Sequence, residues 1–236
     1  MATKKLPMAF APALVVAALA MMLPAIAQAS PKFLINGVAA GAKHEAIIQY
    51  GPITLENHFL GKIKCQNLAS GNIWNESEKG LGNTEGYTTY SCTSEPLACA
   101  GVFATAEKPV EVTERIVASE KKKVAQRGAT DLPWEGEAVE EEGGEKLKKI
   151  KTHGIRVTVV VPCLTMEVPF EGVLEPISIN GIKNGLFPSH LVFQGKGGKT
   201  GFLTTTALGT KEENNIGYVI GEISTVGSNV ELITME

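Results

Sequence analysis

The stretch Gly154-Ile155-Arg156-Val157-Thr158-Val159-Val160-Val161-Pro162-Cys163-Leu164-Thr165-Met166-Glu167-Val168-Pro169-Phe170-Glu171-Gly172 decides the fold class. Ile155, Val157, Val159 and Val161 recur at period two, and Leu164, Met166, Val168 and Phe170 resume the alternation after the Pro162-Cys163 bend. Strand side chains point alternately to two faces, whereas a helix brings every third or fourth residue together, so this spacing predicts two strands with a buried side. The β-branched residues that dominate the run pack well on a pleated surface and would crowd a helix.

Shorter runs on either side read the same way. Lys32-Phe33-Leu34-Ile35 and Val38-Ala39-Ala40 flank Asn36-Gly37, a dipeptide that accepts the two positive φ angles of a tight hairpin turn. Ala46-Ile47-Ile48-Gln49-Tyr50 and Ile53-Thr54-Leu55 read as two strands split by Gly51-Pro52. Residues 61–68 place Ile63 and Cys65 on one face and Lys62 and Lys64 on the other. A glycine-punctuated loop is expected around Trp74, Gly80 and Gly82, then a strand over 86–93 with Tyr90 and Cys92 on one face. Residues 110–127 fit a weak helix as well as a strand and stay unassigned. Gly143-Gly144 joins an acidic run to a basic one, and a two-residue loop there would set Glu141 opposite Lys146. The last two strands, over 217–225 and 230–235, are joined at Gly227-Ser228-Asn229. Many short strands between turn residues, with almost no helical period, predict an all-β fold, an antiparallel β-sandwich or barrel with little helix.

The N-terminus reads as an address. Lys4 and Lys5 precede an uncharged apolar run over residues 8–27 that ends in Ala27-Gln28-Ala29, the small-x-small pattern of a signal-peptidase site. The expectation is a signal peptide over 1–29 and a single exported domain over 30–236, with two packed β halves meeting near 128–136 as the alternative division. No other run is long and apolar enough to span a bilayer, so no stable membrane span is expected after cleavage. Loss of Lys4 and Lys5 takes the formal charge from −3 to −5. A nucleic-acid partner needs a basic footprint, and the chain offers none.

Four cysteines, Cys65, Cys92, Cys99 and Cys163, all lie beyond the signal, and an even count in an exported chain predicts two disulfides. Three connectivities are open; the expected one pairs Cys92 with Cys99 across a short loop and Cys65 with Cys163 across a long one. No cysteine or histidine cluster has zinc spacing. Among the 25 acidic residues only Asp131 is an aspartate, which argues against the aspartate-rich loops that bind calcium. No cofactor is expected either, because Gly198-Lys199-Thr200 lacks the preceding glycine of a phosphate loop.

Candidate functional residues are few. Trp74 and Trp134 sit in turn-rich segments, where each could stack on a ligand or fill the core. Glu76, Glu85, Glu167 and Glu171 are the carboxylates from which a glycosidase pair could be drawn. His44, His58, His153 and His190 are scattered and show no nucleophile at catalytic spacing.

The segments Gly101-Val102-Phe103-Ala104-Thr105-Ala106-Glu107-Lys108-Pro109, Leu132-Pro133-Trp134-Glu135-Gly136-Glu137, and Asn180-Gly181-Ile182-Lys183-Asn184-Gly185 through Gly195-Lys196-Gly197-Gly198-Lys199-Thr200-Gly201 resemble an uncharacterised family of exported, signal-peptide-bearing proteins of soil actinobacteria. The resemblance covers most of the mature chain, implies an extracellular or envelope setting, and brings no catalytic residues. The expected function is that of a non-enzymatic, extracytoplasmic β protein that binds an extracellular polymer or protein, or one that self-associates through an exposed strand edge. The alternative is a secreted polysaccharide hydrolase that uses a glutamate pair.

Overall fold

The computed structural model describes residues 30–107, 111–117, 120–126, 131–141, 147–183, 187–195 and 201–234, so the expected signal peptide lies outside the described residues. The chain begins with a hairpin of β1 (Lys32–Ile35) and β2 (Val38–Ala39). A long meander follows: β3 (Glu45–Asn57), β4 (Gly61–Glu76) and β5 (Lys79–Glu95). After a short β6 (Phe103–Thr105), β7 (Glu111–Val117) and β8 (Glu120–Gln126) form a two-stranded hairpin of their own. Next come β9 (Trp134–Glu141), β10 (Leu147–Val161), a 3₁₀ turn at Pro162–Leu164, and β11 (Met166–Leu174). The chain ends with β12 (Ile177–Lys183), β13 (Phe187–Gln194), β14 (Gly201–Thr204), β15 (Ile216–Val226) and β16 (Val230–Ile233).

The main sheet closes on itself, and its pairings are antiparallel. Five long strands, β3, β4, β5, β10 and β15, run its length. Three shared positions complete an eight-membered ring. Between β5 and β10 one end is filled by β6 and the other by β9. On the far side of β10 stand β11 and β12, and these pair in turn with β14 and β13, which both flank β15. The ring closes where β15 pairs with β3 from Gly217↔Asn57 to Val226↔Ile48. Strands from before and after residues 128–136 share this barrel, and among the described residues the pairings run continuously around the ring. Among the described residues no helix is long and apolar enough to cross a membrane.

The quoted stretch behaves as its period requires. Val159, Val161, Val168 and Phe170 are at most 1% exposed, and β10 pairs with β11 from Val161↔Met166 down to Ile155↔Gly172. Leu164 is the exception, because it sits in the 3₁₀ turn and faces solvent. At the opposite end β1 and β2 form the expected tight hairpin, with Asn36 and Gly37 at φ 51° and 79° and Ile35 paired to Val38.

Several local expectations are corrected. Gly51-Pro52 does not break a strand; β3 runs through it. A side chain at residue 51 would collide with the Glu222 carbonyl on β15, so glycine there permits close approach of the two backbones. The segment around Trp74, Gly80 and Gly82 is no loop but the paired ends of β4 and β5, joined by Ser77 and Glu78 at φ 48° and 69°. Residues 111–117 and 120–126, within the stretch left unassigned between helix and strand, are strands. Glu141 pairs with Leu147 rather than Lys146, so the connection is longer than Gly143-Gly144 alone. The last two strands do not pair with each other, because β16 crosses over to β1.

The disulfides also differ from expectation: Cys65 bonds Cys92, and Cys99 bonds Cys163. A bulge causes the first. The β4–β5 register shifts between Lys64↔Thr93 and Gln66↔Tyr90, and Ser91 takes φ 49°. Two β5 residues therefore face one on β4, which turns Cys92 toward inward-facing Cys65 and leaves Tyr90 exposed on the other face. Cys99, in the loop after β5, is then free to fasten the Pro162–Leu164 turn at the end of β10.

Both mouths of the barrel are plugged. At the first, Leu60 and Leu208 join the main core, and Asn57 holds the β3–β4 turn in place. Its Oδ1 accepts hydrogen bonds from the Phe59 and Leu60 amides at 2.9 and 2.8 Å, and its Nδ2 donates to the Asn214 and Ile216 carbonyls at 2.8 Å each. At the second mouth a three-stranded sheet, β16-β1-β2, packs Phe33, Val230 and Leu232 against Ile73 and Ala138. Two asparagines clamp that sheet. Asn75 pairs with the backbone of Phe33 and Ala40, and Asn180 pairs with both backbone groups of Leu232.

Candidate binding cavity

Between the two plugs lies an interior cavity of about 120 Å³. It follows from the inward residues of facing strands. β4 contributes Ile63, Cys65, Asn67 and Ala69 at period two, and β10 contributes Ile155, Val157 and Val159 opposite them. Phe170, Phe193 and Leu203 add bulk from β11, β13 and β14. No lining residue carries a formal charge, and the surface is predominantly apolar. Ligand sites in proteins have this character, a mostly hydrophobic concavity with a few placed polar groups.

Trp134 and Tyr87 form one wall. Trp134 begins β9, whose pairing to Thr84 of β5 turns the indole inward, where it is 5% exposed. The Tyr87 ring lies 5.1 Å from it at a 51° tilt. Burial pushes the Tyr87 phenol far above the ordinary tyrosine range, so the hydroxyl stays protonated.

Two polar atoms of the lining residues are conspicuous. Asn67 is 2% exposed, yet its Oδ1 has no hydrogen-bond partner among the described residues; the same is true of Trp134 Nε1. Most buried polar groups are paired, and each of these two atoms is packed with almost no accessible surface of its own rather than presented to the cavity.

The two tryptophans are thus separated by the barrel wall. Trp134 belongs to the cavity, whereas Trp74, adjacent to inward-facing Ile73, stacks on His44 at 3.9 Å. Nothing in the sequence marked Asn67 as a site residue, although the alternation already placed Ile63 and Cys65 inside. Carrying that alternation one step further, from Cys65 to Asn67, puts an asparagine among core positions, and that was the available signal.

The carboxylates considered for hydrolysis lie elsewhere. Glu171 meets Arg156 at 3.2 Å, which also approaches Asp131 at 3.3 Å; Glu85 accepts from Asn72 and Asn83 at 2.9 and 3.2 Å. None of Glu76, Glu85, Glu167 and Glu171 lines the cavity. His58 and His153 pair with Glu213 and Glu137 at the surface. His190 is buried and places Nδ1 2.8 Å from Ser224 Oγ and 3.0 Å from Glu222 Oε1. A nucleophilic triad needs serine and carboxylate on opposite ring nitrogens, so this arrangement cannot relay a proton from one to the other.

No family model matches the chain, and no curated protein matches it. Among solved structures, DynF from the dynemicin biosynthesis pathway of Micromonospora chersina is similar over 84% of this chain and 85% of its own, with a TM-score of 0.44 and 8% identity. A likeness this distant carries no functional argument, so the chemistry of the cavity must carry it.

Proposed function

We propose that this chain is a non-enzymatic, exported binding protein that holds a small apolar molecule inside its barrel. The observation that carries the reading is the uncharged, largely apolar cavity between two plugged ends. Export is supported by the leader pattern of residues 1–29 and by two disulfides, bonds that persist in oxidising compartments. The inward position of Trp134 favours an enclosed ligand over the extracellular polymer that a surface tryptophan platform would take.

Empty space in a core is costly. At about 24 cal/mol per Å³, a cavity of this size is worth about 3 kcal/mol of missing contacts, which a ligand of matching shape restores. An engineered cavity of roughly 150 Å³ binds benzene, so one aromatic ring sets the scale of the ligand. A Kd of about 0.1–1 mM is expected for a bare ring.

Calorimetric titration of mature protein, residues 30–236 with disulfides intact, with toluene tests the reading. Saturable 1:1 binding that disappears in Ala69→Leu, which fills the cavity from its wall, is the expected result. Absence of saturable binding by any apolar probe refutes it. Retention of the protein on insoluble cell wall without probe uptake would instead favour a surface partner.

A further inference from the structure

The interior space does not end where the main cavity does. Two smaller voids, of about 60 and 20 Å³, continue it toward the plug of β16, β1 and β2. The larger of them shares Gln49, Thr84, Trp134, Thr152 and Leu191 with the main cavity, and the smaller shares Ile47, Gln49 and Leu191 with the larger. β3 shows how far the three extend, because its inward residues Leu55, Ile53, Gln49 and Ile47 line them in turn. From Leu55 to Ile47 is about 26 Å along the strand. Space so small in volume and so drawn out in length is narrow, and it suits an unbranched chain better than a compact ring system.

The two ends of the main cavity differ in chemistry. At the first mouth Leu55, paired to Ile63, stands with Phe170 around Gly217, whose partner on β14 is Leu203, so that end is wholly apolar. At the other end Gln49, Thr84 and Thr152 line both the main cavity and the void beyond it. Gln49 points inward with its buried neighbours Ala69 and Thr225. Among the described residues none of these three side chains has a hydrogen-bond partner, and none of their polar atoms is packed out of contact with accessible space. No charged residue lines either void, so this end offers hydrogen bonds but no counter-charge for a carboxylate or an ammonium.

Resting on the binding reading above, we propose that the ligand is an unbranched, uncharged amphiphile: an alkyl chain with one neutral polar head, lying along the barrel axis. Its tail fills the space between Leu55 and Phe170, and its head lies at the level of Gln49, Thr84 and Thr152. The tail supplies affinity, because each methylene taken out of water tightens binding about fourfold. The head exchanges hydrogen bonds with water for hydrogen bonds with amide and hydroxyl groups, so a neutral head is buried at little net cost.

The test titrates mature wild-type protein with n-butanol, n-hexanol, n-octanol, cyclooctanol and octanoate at pH 7 in a calorimeter, with toluene alongside. Affinity is expected to rise about fourfold per methylene from n-butanol through n-octanol. Cyclooctanol carries the same number of carbons and the same hydroxyl in a wide ring, and it should bind about tenfold or more weaker than n-octanol, the cost of overpacking a narrow core. Octanoate should be weaker than n-octanol by about tenfold or more, because its charge finds no partner. In crystals soaked with ω-bromo-octanol, the anomalous signal of the bromine should lie beside Leu55 and Phe170. An affinity that stops rising at n-butanol, a smaller deficit for cyclooctanol or octanoate, or a bromine beside Gln49 overturns this inference. Toluene binding without the expected ranking leaves the binding reading intact, whereas failure of every probe overturns both.

Discussion

Asn57→Ala should be among the most damaging single truncations of a polar side chain in this protein. The amide is 2% exposed and makes four hydrogen bonds, two accepted from the Phe59 and Leu60 amides and two donated to the Asn214 and Ile216 carbonyls. Phe59 is exposed, so water can replace its partner, but Leu60 is fully buried and its N–H would be stranded. Four bonds at about 1 kcal/mol each, with the added penalty for one stranded donor and an allowance for rehydration of the others, give a loss of about 3–5 kcal/mol. For a domain of this length that is a fall in melting temperature of about 6–20 °C. Thermal and urea unfolding of the disulfide-intact mature chain measure it. Asn57→Asp separates hydrogen bonding from shape. Its carboxylate still accepts from the two amides but faces two carbonyl oxygens, so its pKa in the folded state is raised. A raised folded pKa means that the associated stability is full below the unfolded pKa and disappears as pH rises through the folded value. Asn57→Asp should therefore approach wild type in acid and fall behind it toward neutrality. A loss below about 1 kcal/mol for Asn57→Ala, or a pH-independent deficit for Asn57→Asp, would refute the reasoning.

Other outcomes follow from the same structure. Peptide mapping without reduction should recover Cys65 linked to Cys92 and Cys99 linked to Cys163; a Cys92–Cys99 peptide would contradict the barrel register. The bonds close loops with sequence separations of 27 and 64, so paired alanine substitutions should cost about 3.6 and 4.3 kcal/mol in the chain-entropy estimate, with the larger loss at Cys99 and Cys163. Tyr87 holds its proton in the fold well past the point where an unfolded tyrosine releases it, so its contribution is complete below about pH 10 and declines as pH rises. In urea titrations above that pH, wild type should lose stability more steeply than Tyr87→Phe, by about 1.4 kcal/mol per pH unit. Parallel slopes would show that the phenol is not buried as described.

What the sequence reveals here is set by how local the cause is. The core of β10 and β11 was legible because each residue's face follows from its own parity, and the Asn36-Gly37 turn was legible because the needed φ angles favour those two residues. The β4–β5 turn was not, since Ser77 and Glu78 adopt positive φ without a residue type that announces it; the flanking ladder imposes the conformation. Parity also fails wherever a bulge intervenes. A single extra residue at Ser91 moves Cys92 to the opposite face, and from that one slip the whole disulfide pairing changes. Cys92 is taken by Cys65, and Cys99 is left for a partner 64 residues away. The candidate site inherits both behaviours. Asn67 falls inside by the same parity as Ile63 and Cys65, whereas Trp134 reaches the same cavity only because β9 joins the wall between β5 and β10. A site of this kind has no sequence motif, because its defining property is the unfilled space that inward side chains from separate strands leave between them. That property exists only once the barrel has closed around them.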